Sequence, residues 1–306
     1  MITFYYRNIR ERQLTKHALF RVGSWIHAES PTPDELKKLA RDFNLELDLL
    51  TDGVDMYEVP RLEVEGKAVY IFTRFASFLN DQIVTAPVLI VITEKFILTI
   101  CPIKASFLTA LTTTKNLIVT TQTNKSLLEI LFLINKTYDN YLTKISKQIR
   151  TFEIRLQNIS NRDIVRFVEL EGILNDFRPA IVRMNTILES LTSKKYLAFH
   201  EADQDLIEDI VLNNKQLIEQ TDDSLVTLKN IREAYTAIMT NNLNQVIKLL
   251  TSLTVIFTIP TMIASLYGMN VRLPLEHHPW AFAFIVAIVV ISTGITTYIF
   301  VMKDYF

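Results

Sequence analysis

The chain has 306 residues, 49% of them hydrophobic and only 21% charged, and its 32 basic and 33 acidic side chains balance to a net charge of −1. That balance leaves no electrostatic footprint for a nucleic-acid partner, and the single cysteine, Cys101, excludes an internal disulfide framework and suits a reducing compartment. The start, Met1 to Tyr6, lacks a charged segment followed by an apolar core, so no cleaved signal peptide is expected. Arg7, Arg10, Arg12 and Lys16 lie among strand-like residues and read as an ordinary domain start, with an organellar transit segment as the alternative. Residues 33–43 predict a short helix, with Thr32 as its cap and Pro33 in the first turn. Val69 to Phe75 and Val88 to Cys101 are rich in β-branched and aromatic residues and predict strands, with turn-prone Asn80-Asp81 between them. Leu117 to Thr120 is a further strand candidate. Residues 1–120 therefore read as an α+β domain.

From Asn124 the pattern becomes helical, giving a helical hairpin region over residues 121–200 in which Asp163 to Phe177 and Pro179 to Leu191 are expected as separate antiparallel helices. Between Ala180 and Ile259 there is neither proline nor glycine. A helix over residues 201–269 would be about 100 Å long, with Leu225, Leu228, Ile231, Tyr235 and Ile238 marking one apolar face. Its last part, residues 246–269, forms a first membrane span that Pro260 is expected to kink. A loop at 270–278, a second span at 279–302 and a tail at 303–306 complete the chain. Each span is long enough to cross a bilayer core of about 30 Å, which needs roughly 20 helical residues. The fold class expected is an α+β cytosolic domain, a long helical stalk and two transmembrane helices, assembled as a funnel-shaped homo-oligomer.

The polar residues of the first span are not scattered. Asn244, Thr251, Thr254, Thr258, Thr261 and Ser265 follow spacings of three, four and seven and share one helical stripe, which reads as a wetted pore wall. Ile247 and Leu250 lie at one end of the stripe, where a ring of apolar side chains can gate by dewetting. Neither span holds a carboxylate, so passive conduction is expected in place of proton-coupled exchange. Two helices cannot enclose a pore, so the stripe calls for a cyclic oligomer. Lys229 and Arg232 precede the first span, Lys248 stands at its start, Lys303 follows the second, and the connecting loop carries only Arg272, so both termini are expected in the cytosol.

The stretch Asn242 to Thr251, and then Pro260-Thr261-Met262-Ile263-Ala264-Ser265-Leu266-Tyr267-Gly268-Met269-Asn270, resembles the CorA family of divalent-cation channels. The signature of that family is Gly-Met-Asn at the outer end of the first membrane helix. The resemblance implies a homopentamer in the cell (plasma or inner) membrane, conducting Mg²⁺, with Co²⁺ and Ni²⁺ as further candidate ions. It also implies that Tyr267, Gly268, Met269 and Asn270 form the selectivity filter. Mg²⁺ surrenders its waters reluctantly, so the Asn270 side-chain oxygen and the Gly268 carbonyl are expected to meet the hydrated ion. Gly268 is expected in a backbone conformation barred to other residues, and Met269 is expected to pack the turn.

The cytosolic part offers a regulatory site on the same resemblance. Asp52, followed eight residues later by Pro60-Arg61-Leu62-Glu63, resembles the family's acid-then-Pro-Lys/Arg-x-Glu box. Glu208-Asp209 stands at the family's spacing before the turn. The resemblance implies that Asp52 and Asp209 pair across subunits to hold Mg²⁺ and keep the channel closed. Asp209 lies in an acidic run, Glu201, Asp203, Asp205, Glu208, Asp209, Glu219, Asp222 and Asp223, that otherwise reads as a solvated face. His277-His278, beside Glu276, reads as a solvated loop pair with a transition-metal site as the alternative. Two further readings stand beside the Mg²⁺ channel: a Zn²⁺ transporter of a related branch, and a membrane-anchored sensor or scaffold. No His-Glu-x-x-His, Cys-x-x-Cys or glycine-rich phosphate loop is present, so no enzyme and no enzymatic cofactor are expected.

Overall fold

The computed structural model describes residues 1–11, 13–113, 118–156, 159–193, 196–197, 199–271 and 278–303. The chain divides into two compact units, Met1–Asn230 and Ile231–Phe306.

The first unit is built on a seven-stranded sheet of β1 (Ile2–Tyr6), β2 (Thr15–His17), β3 (Ser24–Glu29), β4 (Arg61–Glu65), β5 (Ala68–Leu79), β6 (Gln82–Ile92) and β7 (Phe96–Cys101). Their order is β2-β1-β3-β7-β6-β5-β4. All neighbours are antiparallel except β3 and β7, and that one parallel pair is bridged by the long crossover through α1 (Pro33–Phe43), α2 (Leu47–Asp52) and the hairpins β4 to β7. The predicted turn between β5 and β6 holds, with Asn80 and Asp81 both at positive φ, as a two-residue hairpin requires. The expected strand from Val88 to Cys101 is divided into β6 and β7. Thr93 breaks it by accepting from the N–H groups of Lys95 and Phe96 and turning the chain back.

Both sheet faces are covered, so β5 to β7 read as nearly continuous apolar runs. On one face, Leu36, Leu39 and Leu50 of α1 and α2 pack with Ile26, Phe72 and Leu89. The Thr32 cap forms a full capping box with Glu35, as the sequence predicts. The other face meets α4 (Thr123–Ile154) and α5 (Asn161–Thr192), with the Tyr138 hydroxyl donating to the Arg74 carbonyl at 3.0 Å and the Thr137 hydroxyl accepting from Ala76 N–H at 3.0 Å. A short helix, α3 (Ser106–Thr113), precedes α4.

Two sequence expectations are corrected here. Asp163 to Phe177 and Pro179 to Leu191 are one helix, α5. Pro179 is exposed, so the Asn175 carbonyl that loses its partner is open to water, while Leu174, Phe177, Ile181 and Met184 keep one apolar face continuous across it. Ile118 to Thr120 is not a strand, and Leu117 lies outside the described residues. The segment instead pins the end of β1: Arg7 N–H donates to the Thr120 hydroxyl at 2.9 Å, and that hydroxyl donates back to the Arg7 carbonyl at 3.1 Å.

α6 (Glu201–Tyr267) begins in the first unit and ends in the second, where α7 (Ala281–Met302) joins it. It stops two residues short of the expected Met269 and runs through Pro260 without interruption. The end of α6 and the whole of α7 are long and apolar enough to cross a membrane. Their surfaces fit that solvent, with Phe257, Met262 and Phe282 all more than 60% exposed.

In the first unit, His27 on β3 is mostly buried, and desolvation holds its pKa below the ordinary value despite the opposing charge of Glu29. Trp25 donates its indole N–H to the Thr99 hydroxyl at 2.9 Å, and the same hydroxyl lies 2.9 Å from His27 Nδ1. The fold thus keeps the imidazole neutral where the unfolded chain protonates it below about pH 6.5. Stability should therefore fall as pH drops through that value, because the unfolded state binds the extra proton. Urea unfolding followed by circular dichroism at pH 5.5 and 7.5 should show a smaller loss for His27→Gln than for the wild type.

Candidate functional site

In the second unit, the side of each helix that is covered identifies how the pair packs. On α6 the sheltered residues are Ser252, fully buried, with Ile256, Ile259, Pro260 and Ile263 half-buried. On α7 they include Ile285, Val289, Ser292, Thr293, Thr296 and Thr297. Each set recurs every three or four residues, so each helix shows one face to the other. The predicted polar stripe lies elsewhere. Asn244, Thr251, Thr254, Thr258, Thr261 and Ser265 are all exposed, as are Ile247 and Leu250. At 100° per residue their line is rotated roughly 150° from the face that meets α7. The structure therefore brings the eight expected residues onto one uncovered side of α6.

Three of these hydroxyls are oriented. Thr254 donates to the Leu250 carbonyl at 2.8 Å, Thr258 to the Thr254 carbonyl at 2.7 Å and Thr261 to the Phe257 carbonyl at 2.7 Å. A hydroxyl has one proton and two lone pairs, so a threonine that spends its proton on its own helix shows its surroundings an acceptor. The exposed side of α6 is thus a ladder of oxygen acceptors, which suits water molecules that point their protons outward from it, as the hydration shell of a cation does.

The ladder ends in the turn. Gly268 N–H donates to the Ala264 carbonyl at 2.9 Å and Met269 N–H to Leu266 at 3.4 Å, closing the helix. Tyr267, Gly268, Met269 and Asn270 are all exposed. The expectation for Gly268 is corrected: its φ is not in the left-handed region, and an added Cβ would meet the Ala264 carbonyl oxygen at 3.4 Å, a contact only slightly tight. The absence of a side chain there clears space around the turn and is not a demand of its backbone. Met269 is half exposed and does not pack the turn within this chain. His278 is exposed, while His277, Glu276 and Arg272 lie outside the described residues.

The regulatory candidates are placed by the first unit. Asp52 ends α2, and Gly53 follows it so close to β6 that a Cβ would fall 2.7 Å from that of Leu89. Arg74 secures the next loop, its guanidinium donating to the carbonyls of Met56, Glu58 and Thr85 at 2.7–3.0 Å. The loop delivers Arg61 over the Phe72 ring, 3.9 Å from its centroid. There Arg61 binds Asp52 at 2.7 Å and also reaches Glu58 and Glu63. One guanidinium thus serves three carboxylates, a surplus of two negative charges. Spacing alone missed that Asp52 already has a cation; the arginine of the Pro-Arg-x-Glu box was the available signal.

Asp209 is exposed on α6. Other acids of its run are engaged or sheltered: Asp222 pairs with Arg178 at 2.5 Å and Asp203 is buried. Among the described residues, no group of three or more His, Cys, Asp or Glu side chains is arranged to hold a metal ion within one chain.

A family model described as CorA-like Mg²⁺ transporter protein matches residues 21–303. The cobalt/magnesium transport protein CorA of Methanocaldococcus jannaschii is 28% identical over 284 residues, 90% of this chain and 89% of the relative. Among solved structures, the complete CorA magnesium transporter of the same organism superposes with a TM-score of 0.84 at 23% identity, covering 98% of this chain and 96% of that one. The cytoplasmic domain of ZntB from Vibrio parahaemolyticus superposes with a TM-score of 0.63 at 12% identity, covering 78% of this chain and 98% of the domain. The two superpositions are likenesses of fold.

Replacing Arg61 by Met keeps the contact with Phe72 and removes the cation, leaving three carboxylates in mutual repulsion. Arg61→Met should cost about 2 kcal/mol in metal-free buffer, the order of losing charge-assisted hydrogen bonds. Differential scanning fluorimetry should then show Mg²⁺ raising the melting temperature of the variant more than that of the wild type. An equal rise in both would mean that no divalent ion reaches Asp52.

Proposed function

The chain belongs to the CorA-like Mg²⁺ transporter family, and from that membership we propose that it is a homopentameric Mg²⁺ channel of the cell membrane, with both termini in the cytosol. The observation that carries this reading is the acceptor stripe of α6, uncovered on the side away from α7 and ending at the exposed Tyr267-Gly268-Met269-Asn270 turn. In a bilayer those hydroxyls need a polar neighbour. Copies arranged around an axis supply it by enclosing water.

The mechanism follows from the residue types. Asn270 oxygens and Gly268 carbonyls at the mouth accept from the waters of a hydrated ion, and neutral oxygens hold it loosely enough to release it. Thr261, Thr258, Thr254 and Thr251 continue that acceptor surface inward, so the ion keeps its shell and exchanges only second-shell partners. Ile247 and Leu250 form an apolar belt that closes by dewetting when the helices approach. The driving force is the membrane potential, about 4.6 kcal/mol per 100 mV for a divalent ion, twice the single-charge value. Asp52 and Asp209 of neighbouring copies hold cytosolic Mg²⁺ in the closed state, and Mg²⁺ must compete with Arg61 for Asp52. Co²⁺ and Ni²⁺ share the hydrated route.

Purified protein in liposomes containing a Mg²⁺-sensitive dye should admit Mg²⁺ under an inside-negative potential, and Asn270→Ala should reduce entry at least tenfold. Thr258→Val, which keeps the shape and removes the acceptor, should reduce it by a smaller factor. Zn²⁺ entry in place of Mg²⁺ would select a zinc transporter, and no ion entry at all would select a membrane anchor.

A further inference from the structure

The α6 residues Ile207, Ile210, Asn214, Leu217, Thr221 and Ser224 are all buried, at alternating spacings of three and four. This is the seam of a coiled-coil-like contact inside the first unit, and an amide sits within it. Asn214 is fully buried and donates Nδ2 to the Ile181 carbonyl of α5 at 3.0 Å. Asn135 of α4 is equally buried and donates Nδ2 to the carbonyl of Ile210, one turn from Asn214, at 3.2 Å. A main-chain carbonyl can only accept, so the amide nitrogens must face Ile181 and Ile210 and the orientation of both groups is fixed by chemistry. The two Oδ1 atoms are consequently turned into the interior, and neither accepts a hydrogen bond from any protein group.

We propose that Asn135 and Asn214 form a buried water-binding site that sets the axial register of α6 against α4 and α5. Orphaned buried acceptors of this kind are the usual partners of internal water, which needs polar groups and room for one molecule. The Ile210 carbonyl that Asn135 reaches lies one turn from Asn214, so the two orphaned oxygens belong to neighbouring turns of one seam. Sliding α6 by one turn offers each amide nitrogen another main-chain carbonyl but changes the axial separation of the two orphaned oxygens by about 5 Å. Apolar layers above and below have no such preference, because Ile and Leu exchange places at similar volume. The other polar contacts along the seam are the bonds of Ser146 to Ser224 and Gln220, both at 3.4 Å, and two ion pairs to α5, Arg178–Asp222 at 2.5 Å and Lys215–Glu189 at 3.1 Å, whose exposed side chains are long, adaptable and screened by water. A single polar layer that fixes register at some expense of stability is the known use of asparagine in helical seams.

The consequence for ion flow rests on the proposed channel reading, since α6 also carries the acceptor stripe, but the register can be measured without transport. Spin labels at Lys147→Cys on α4 and Gln216→Cys on α6, both exposed positions, would be placed in full-length protein diluted with unlabelled copies. The native Cys101 is buried and stays unlabelled. The wild type should give one distance. Asn135→Leu with Asn214→Leu should give a second population displaced by about 5 Å, one helical turn, and should lose the Mg²⁺ dependence of flux. Asn135→Ser, which keeps an acceptor for water, should retain the single distance. One unchanged distance in the double leucine variant would overturn the proposal, and if that variant does not fold, Asn214→Leu alone decides by the same criterion. A second population with no transport in any protein would uphold the register site and overturn the channel.

Discussion

A bilayer offers no hydrogen bonds, and α6 enters it with oxygen atoms on a side that its own chain does not cover. Much of the architecture of the second unit follows from that mismatch. α7 shelters the aliphatic side of α6 through Ile256, Ile259 and Ile263 and leaves the threonine side bare. Had α7 covered the threonines, the pair would be a self-contained anchor with an apolar exterior. Leaving them bare makes a single chain incomplete in lipid, and the completion available to identical copies is a ring. Thr254, Thr258 and Thr261 also lower the cost of this arrangement, because each bonds its proton to its own helix and leaves only lone pairs to be satisfied.

The first unit handles charge by the opposite device. Asp52, Glu58 and Glu63 are not left to water but gathered on Arg61, itself stacked on Phe72. A partly buried guanidinium with three carboxylates is stable without metal and still negative in sum. In the proposed regulation this sets a threshold. A divalent ion must offer Asp52 more than the arginine does, which a second acid from a neighbouring copy, such as Asp209, would help it to do. The region is then ordered in either state and need not fold around the ion.

The sequence disclosed these features unequally, and the reasons are physical. The two spans, the long α6 and the polar stripe were legible because a bilayer imposes length and uniform apolarity, and a helix imposes its period. The capping box at Thr32 and the Asn80-Asp81 turn were legible because their geometry is local. β3 and β4 were missed, since short strands declare themselves only through partners distant in sequence. Pro179 misled because a proline's cost depends on whether the carbonyl it orphans reaches water, which composition does not reveal. The same holds for Gly268, whose residue type suggested a backbone need that the observed φ does not show. Arg61 stands in a recognisable motif, yet its grip on Asp52 depends on Arg74 and Gly53 bringing two loops together.

Polar residues occur along the whole of α6, and burial gives them opposite meanings in its two parts. Asn214 sits on the covered side among aliphatic residues, where an amide is costly unless bonded, so its presence argues for a positional duty inside the fold. Thr254, Thr258 and Thr261 sit on the uncovered side, where a hydroxyl is costly only if lipid is what it meets. In the first case the protein supplies the low-dielectric surroundings and the polar group selects one packing among several. In the second the membrane supplies them and the polar groups select what stands opposite. A helix that obeys both demands has its register fixed at one end and its environment fixed at the other.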